Sequence, residues 1–258
     1  MNRCLGVLAL LASCVYEPPP PGDPVDPVDP DGDPTTDPQP VTAACFADHA
    51  LVCLEFERPD GMTTNLALDG SGNGFDAIRD GVTDFQRLVS PPVEDDDAVG
   101  FTPTTKLEIP QELDLADDVT IELWAQTGFA NTKVFDSSGR IYLARNGGNE
   151  LECGINGGGG KQHVTSKSRL DGAWHHLACT LDAEGNLTVY VDGDVDDCEE
   201  LEVSIDTSRT GTTKLTGGLA GALDSVHVYQ RALSAAEICT RAGQTSCKAT
   251  CPDRGPGG

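Results

Sequence analysis

Three stretches of the chain place side chains where they could do chemistry. Within "GAWHHLACTLDAEGNLTVYVDG", residues 172 to 193, His175 and His176 are adjacent and Cys179 lies four residues after the first. These are residue types that bind transition metals or serve nucleophilic catalysis. "DGSGNGFDAIRD", residues 69 to 80, sets Asp69, Ser71 and Asn73 at alternate positions, then Gly74, with Asp80 at the twelfth place. That pattern echoes a calcium loop of hard oxygen ligands. The echo is partial: Asp76 stands where such loops carry an apolar residue, and no flanking helices are predicted, so a turn without an ion is the alternative. "DGDVDDCEE", residues 192 to 200, is acid-rich, but Asp197 occupies the place of the loop glycine and the stretch reads as solvated.

The elements that must hold these residues are strands. Val119-Ile121-Leu123, Leu151-Cys153-Ile155, Leu177-Cys179-Leu181, Leu187-Val189-Val191 and Val226-Val228 each alternate with period two, giving one apolar face,. "DAEGN", residues 182 to 186, supplies a hairpin turn between two of them,. Only "LSAAEI", 233 to 238, reads as helix, with Ser234 as N-cap and Glu237 completing a capping box,. Many short strands with turns between them predict an all-β, two-sheet antiparallel sandwich. Successive side chains on a strand face opposite ways, so His175 and His176 cannot both ligate one ion. His175 falls with Leu177 and Cys179, His176 with Trp174 and Ala178, and hydrogen-bonded framework histidines are expected.

Composition narrows the partners. With 42 acidic and 17 basic residues the formal net charge is −25, which repels nucleic acid and anionic lipid,. At the N-terminus one basic residue, Arg3, precedes an apolar run too short to span a bilayer,. Leu11-Ala12-Ser13-Cys14 resembles a bacterial lipobox, which implies a signal peptide over 1–14 and lipidation of Cys14. An ordinary secretory peptide is the alternative. Val15, not an acidic residue, follows the cysteine, and the resemblance then implies an outer-membrane lipoprotein at the cell surface. Residues 15–42 are rich in Pro and Asp and form an extended tether; at about 3.1 Å per residue its proline-rich part reaches roughly 75 Å,.

Setting Cys4 and Cys14 aside leaves an even number of cysteines: Cys45, Cys53, Cys153, Cys179, Cys198, Cys239, Cys247 and Cys251. Outside the cytosol that predicts disulfides, with about 105 connectivities open. Cys153 with Cys179, both on alternating strands, and the local pair Cys45 with Cys53 are the expected bridges. Zinc would want closely spaced pairs, and the closest spacing here is Cys247-x-x-x-Cys251,.

"VTIELWAQ" (119 to 126), "DGAWHHLACTLDAEGNLTVYVDGD" (171 to 194) and "GLAGALDSVHVYQRALSAAEI" (218 to 238) resemble, in order and spacing, three segments of laminin-G-like jelly-roll domains of the concanavalin A-like lectin and glucanase superfamily. The resemblance covers about residues 50 to 240 and implies a jelly-roll domain over 43–245, followed by a flexible tail over 246–258. Related jelly rolls often carry structural calcium near the 69-to-80 turn, which implies Asp224 as a further ligand beside Asp69, Ser71, Asn73 and Asp80. The glucanases of that superfamily carry a Glu-x-Asp-x-x-Glu strand, and none occurs here; Glu122 has no carboxylate partner at that spacing,.

The expectation is therefore a non-catalytic module recognising an extracellular glycan or glycoprotein. A structural or adhesion protein with a protein partner and a glycoside hydrolase-like enzyme are the alternatives. Trp124 and Trp174 match framework positions, which leaves Tyr142, Phe129 and Phe75 as candidate sugar-stacking aromatics. The glycine-rich segment 146 to 162 reads as a flexible rim loop,.

Overall fold

The computed structural model describes residues 45, 49–56, 66–80, 87–89, 97–102, 105–127, 131–157, 160–201, 204–215 and 221–252, with backbone only at 79–80, 87–89, 97 and 127. Cys14, the tether 15–42, Phe129 and the last six residues lie outside the described residues.

Two antiparallel sheets face each other. The first runs β14 (Asp194–Glu200), β13 (Asn186–Val191), β12 (Trp174–Leu181), β7 (Val119–Thr127), β16 (Gly221–Tyr229), β5 (Asp97–Phe101) and β4 (Arg87–Val89), and β1 (Val52–Leu54) also pairs with β16. The second runs β11 (Gly160–Arg169), β10 (Glu150–Gly157), β9 (Ile141–Arg145), β8 (Thr132–Ser137), β15 (Thr213–Lys214), β6 (Lys106–Ile109), β3 (Ala77–Asp80) and β2 (Leu66–Ala67). The period-two residues of the sequence become the facing layers: Ile121, Leu123, Leu177, Leu181, Val189, Val226 and Val228 from one sheet meet Leu143, Leu151, Ile155 and Val164 from the other. All are essentially inaccessible to water, so hydrophobic burial between the sheets is the main favourable contribution to folding,.

A smaller apolar cluster covers the outer face of the first sheet. Ala178, Tyr190, Val195 and Tyr229 pack there against Leu233 and Ile238 of the helical segment and against Cys45 and Cys53. The helix α1 (Ala235–Arg241) starts at a capping box: Ser234 accepts from the Glu237 N–H, and Glu237 accepts from the Ser234 N–H,. Among the described residues no helix is long and apolar enough to cross a membrane.

Among the described residues, four disulfides staple these layers. Cys153–Cys179 links β10 to β12 through the core, and Cys45–Cys53 closes the approach to β1. Cys239–Cys247 and Cys198–Cys251 tie the C-terminal segment to α1 and β14. Residues 246–251, expected to begin a flexible tail, are therefore anchored. Val195 N–H donates to the Lys248 carbonyl at 2.9 Å and Lys248 N–H to Asp194 Oδ1 at 2.7 Å, so this segment also covers the edge of β14,. The β13–β14 turn takes positive φ at Asp192 and Gly193, and a side chain at Gly193 would run into Cys247, Ala242 and Cys239,.

Candidate binding cleft

The segment expected as a flexible rim, 146 to 162, is mostly sheet. Asn146 Oδ1 accepts the Gly148 and Glu150 N–H groups to close the turn before β10, and β10 pairs with β11 through Gly157↔Gly160. Gly154, Gly157 and Gly160 lie in the sheet, while Gly147 and Gly148 form the turn before it. Leu151, Cys153 and Ile155 point into the core, which leaves Glu152, Gly154 and Asn156 on the outer face,. Gly154 lies opposite Tyr142 on one side and His163 on the other. With no side chain at Gly154, the Tyr142 ring lies across the backbone of β10, and any added Cβ would clash with it,.

Tyr142 is thereby buried, contrary to what a freely exposed stacking platform requires. Its hydroxyl donates to Glu152 Oε1 at 2.5 Å, while Lys133 and Lys161 place their ammonium groups 4.7 and 4.6 Å from the ring centroid,. Burial and the Glu152 carboxylate push the phenol well above its ordinary range, so it stays a donor. Burial alone would raise Glu152, but the Tyr142 hydroxyl, with His163 and Lys161 nearby, holds it below the usual carboxylate range.

Lys161 also borders an open cleft of about 410 Å³ between the edge strand β11 and the end of β14, lined by Lys161, Gln162, His163, Glu199, Glu200 and Leu201. Topology brings these residues together: β11 ends one sheet and β14 ends the other, joined by Lys167–Asp197 and Ser168–Asp196 hydrogen bonds, and the cleft lies farther along the same two strands. No local spacing in the sequence connects Lys161 and His163 with Glu199 and Glu200, which lie nearly forty residues on.

The other expected site residues go elsewhere. Asp69 folds its own turn: Oδ1 accepts from the Cys53 and Ser71 N–H groups, and Oδ2 from the Ser71 hydroxyl and the Phe75 N–H. Both oxygens are thus engaged by hydrogen-bond donors, and a cation would have to displace them. Asn73 donates to the Ala50 and Leu51 carbonyls, pinning the turn beside β1. Phe75 packs against the core. Asp80 stands in β3 opposite Lys106, and Asp224 is buried on β16 opposite Trp124, accepting from the Ser225 N–H.

The histidine pair separates as strand geometry requires. His175 bonds Asp192 and Asp171, while His176 is buried edge-on to Trp124, 5.4 Å between centroids. His176 faces a polar network on the outer side of the first sheet. Glu122 Oε1 accepts from Tyr229, Arg241 and His227 Nδ1, and His227 Nε2 lies 2.6 Å from Glu55 Oε1. Burial opposes the charge on His227, but Glu122 and Glu55 outweigh it and push its pKa up to about 9,. Burial would likewise raise Glu122, yet hydrogen bonding with His176 and His227 holds it far below the carboxylate range. Glu122 and Glu55 thus approach the His227 ring from its two nitrogens. Burial would also raise Glu55, but its hydrogen bond and charge pairing with His227 hold it below the usual carboxylate range,.

Several solved structures share this fold. The binding domain of Paraclostridial Mosquitocidal Protein 1 superposes with a TM-score of 0.60 at 15% identity, covering 77% of this chain and 52% of that one. Domain 4 of AbnA, an extracellular arabinanase from Geobacillus stearothermophilus, solved in complex with arabinotriose, gives 0.55 at 16% identity over 70% of this chain and 100% of that one. The Botulinum Neurotoxin Type G Receptor Binding Domain gives 0.57 at 14% identity, covering 75% and 51%. The chain spans about half the length of the toxin binding domains it matches. The two toxin structures are binding domains. No curated protein matches the chain. The family model of the concanavalin A-like lectin/glucanases superfamily matches residues 101–239, more than half of the sequence, and the chain belongs to that family.

Proposed function

We propose that the chain is a non-catalytic binding module that takes an extracellular glycan, free or on a glycoprotein, in the cleft between β11 and β14. The cleft itself carries this reading. Its volume of about 410 Å³ lies within the range of small-molecule sites, and its Lys, Gln, His and Glu lining offers both donors and acceptors, as a polyhydroxyl ligand requires,. The Tyr142 ring lies nearby, under the Lys133 and Lys161 ammonium groups. The arabinotriose complex of the AbnA domain supports a saccharide ligand for this fold. A related toxin domain in complex with synaptotagmin keeps a protein partner as the second reading.

The module is presented at the cell surface by lipidation of Cys14, with residues 15–42 as spacer. Calcium is a structural accessory in this reading and is not needed to hold the Asp69 turn. The test is retention of the full chain on a panel of insoluble polysaccharides and cell envelopes, with calcium and with chelator. Retention on a defined glycan supports the proposal, and chelator sensitivity would bring calcium into the site. Retention only on protease-sensitive envelope material would move the function to a protein partner.

A further inference from the structure

Cys45, Cys53, Glu55 and His227 bring one potential ligand atom each within 4.8 Å of one another, a convergence no local sequence spacing announces. The arrangement follows from β1. Cys53 and Glu55 are two residues apart and share a face, and Cys53 lies directly across from His227 on β16,. Cys45 joins through its bridge to Cys53. Glu55 Oε1 lies 3.5 Å from Cys53 Sγ, 3.9 Å from Cys45 Sγ and 2.6 Å from His227 Nε2. Tetrahedral zinc with bond lengths near 2.0 to 2.3 Å separates its ligands by about 3.3 to 3.8 Å, a spacing the two sulfurs can reach only after the bridge is reduced and for which the 2.6 Å Glu55–His227 contact must widen,.

The surroundings match what metal ligands require. The second imidazole nitrogen of His227, Nδ1, is bonded to Glu122 at 3.2 Å, the carboxylate–histidine arrangement that orients a metal-binding ring,. Glu122 is itself fixed by Arg241 and Tyr229, and Ser225 donates to the other oxygen of Glu55 at 3.0 Å.

We propose that Cys45, Cys53, Glu55 and His227 form a redox-gated zinc site, closed while Cys45–Cys53 is a disulfide and opened by reduction. A dithiol donates two electrons and two protons to the bridge, leaving as its own disulfide and producing two cysteine thiols. Zinc then binds both sulfurs as thiolates with His227 Nε2 and Glu55, and the displaced thiol and imidazole protons go to solvent. Reoxidation expels the ion.

Cobalt(II), which reports thiolate ligation through a sulfur-to-metal absorption band, provides the probe. The full chain would be titrated in three forms: oxidised wild type, wild type reduced with a water-soluble phosphine, and Cys45→Ser without reductant. The last keeps the other three disulfides and leaves Cys53, Glu55 and His227 as ligands, so the outcome does not depend on the reduced wild type staying folded. The expected result is no band in the oxidised wild type, and a saturating one-to-one band in Cys45→Ser and in any folded reduced wild type. His227→Ala in the Cys45→Ser background should remove at least about tenfold in affinity, and Glu122→Gln about tenfold. Absence of the band in folded Cys45→Ser, or affinity unchanged by His227→Ala, would overturn the proposal.

Discussion

His175 stands at the start of β12 between two carboxylates, Asp192 at 2.8 Å from Nδ1 and Asp171 at 3.1 Å from Nε2. The hydrogen bond to Asp192 outweighs partial burial and raises the imidazole pKa above its ordinary value of 6.5. A folded-state pKa above the unfolded one contributes stability that is complete below about pH 6.5 and is lost as pH rises through the folded value. Asp192→Asn keeps the positive-φ turn position, which Asn tolerates, while removing the charge,. Urea denaturation should therefore show a larger deficit for Asp192→Asn at pH 5.5 than at pH 9. An equal deficit at both would mean that Asp192 acts only through its bond to the His176 N–H. That the two histidines part company was legible from strand alternation alone. Their partners were not, because Asp192 arrives from the following hairpin and Glu122 from a neighbouring strand.

Among the elements, β9, β10 and β11 position the cleft, and the most sensitive point is Gly154. It reads as one glycine in a glycine-rich run, and sequence could not distinguish a loop from a strand whose partner ring needs the space. Gly154→Ala puts a methyl group into the Tyr142 ring and should destabilise the protein by about 1 to 3 kcal/mol, the usual consequence of overpacking. The accompanying shift of the ring should expose it, which solvent quenching of tyrosine emission would register against the wild type. Undiminished stability would show that the ring moves freely, and that Gly154 does not hold it. By contrast, α1 was readable to its cap from Ser234 and Glu237, since both partners of a capping box are local.

On the scale of the whole molecule, the sandwich follows from period-two strands and the cysteine count. Cys153–Cys179 was accessible to reasoning because both residues lie on core-facing strands, and the structure sets them in facing sheets. The bridge closes a loop with a sequence separation of 26, for which chain entropy gives about 3.5 kcal/mol,. Cys153→Ala/Cys179→Ala should lower unfolding stability by about that amount while strand content in circular dichroism is retained. Loss of the fold would instead make the bridge indispensable to it. The cleft has no comparable sequence signature, since its two walls are the terminal strands of different sheets, joined only when the sandwich closes.

The decisive measurement compares affinities for a retained glycan between wild type, Lys161→Ala/His163→Ala in the cleft, and Arg231→Ala beside α1 as a remote control. Binding through the cleft predicts a loss of at least about tenfold in the double variant, equivalent to about 1.4 kcal/mol, and no change in the control. Equal affinity in all three proteins would contradict the assignment of binding to this cleft.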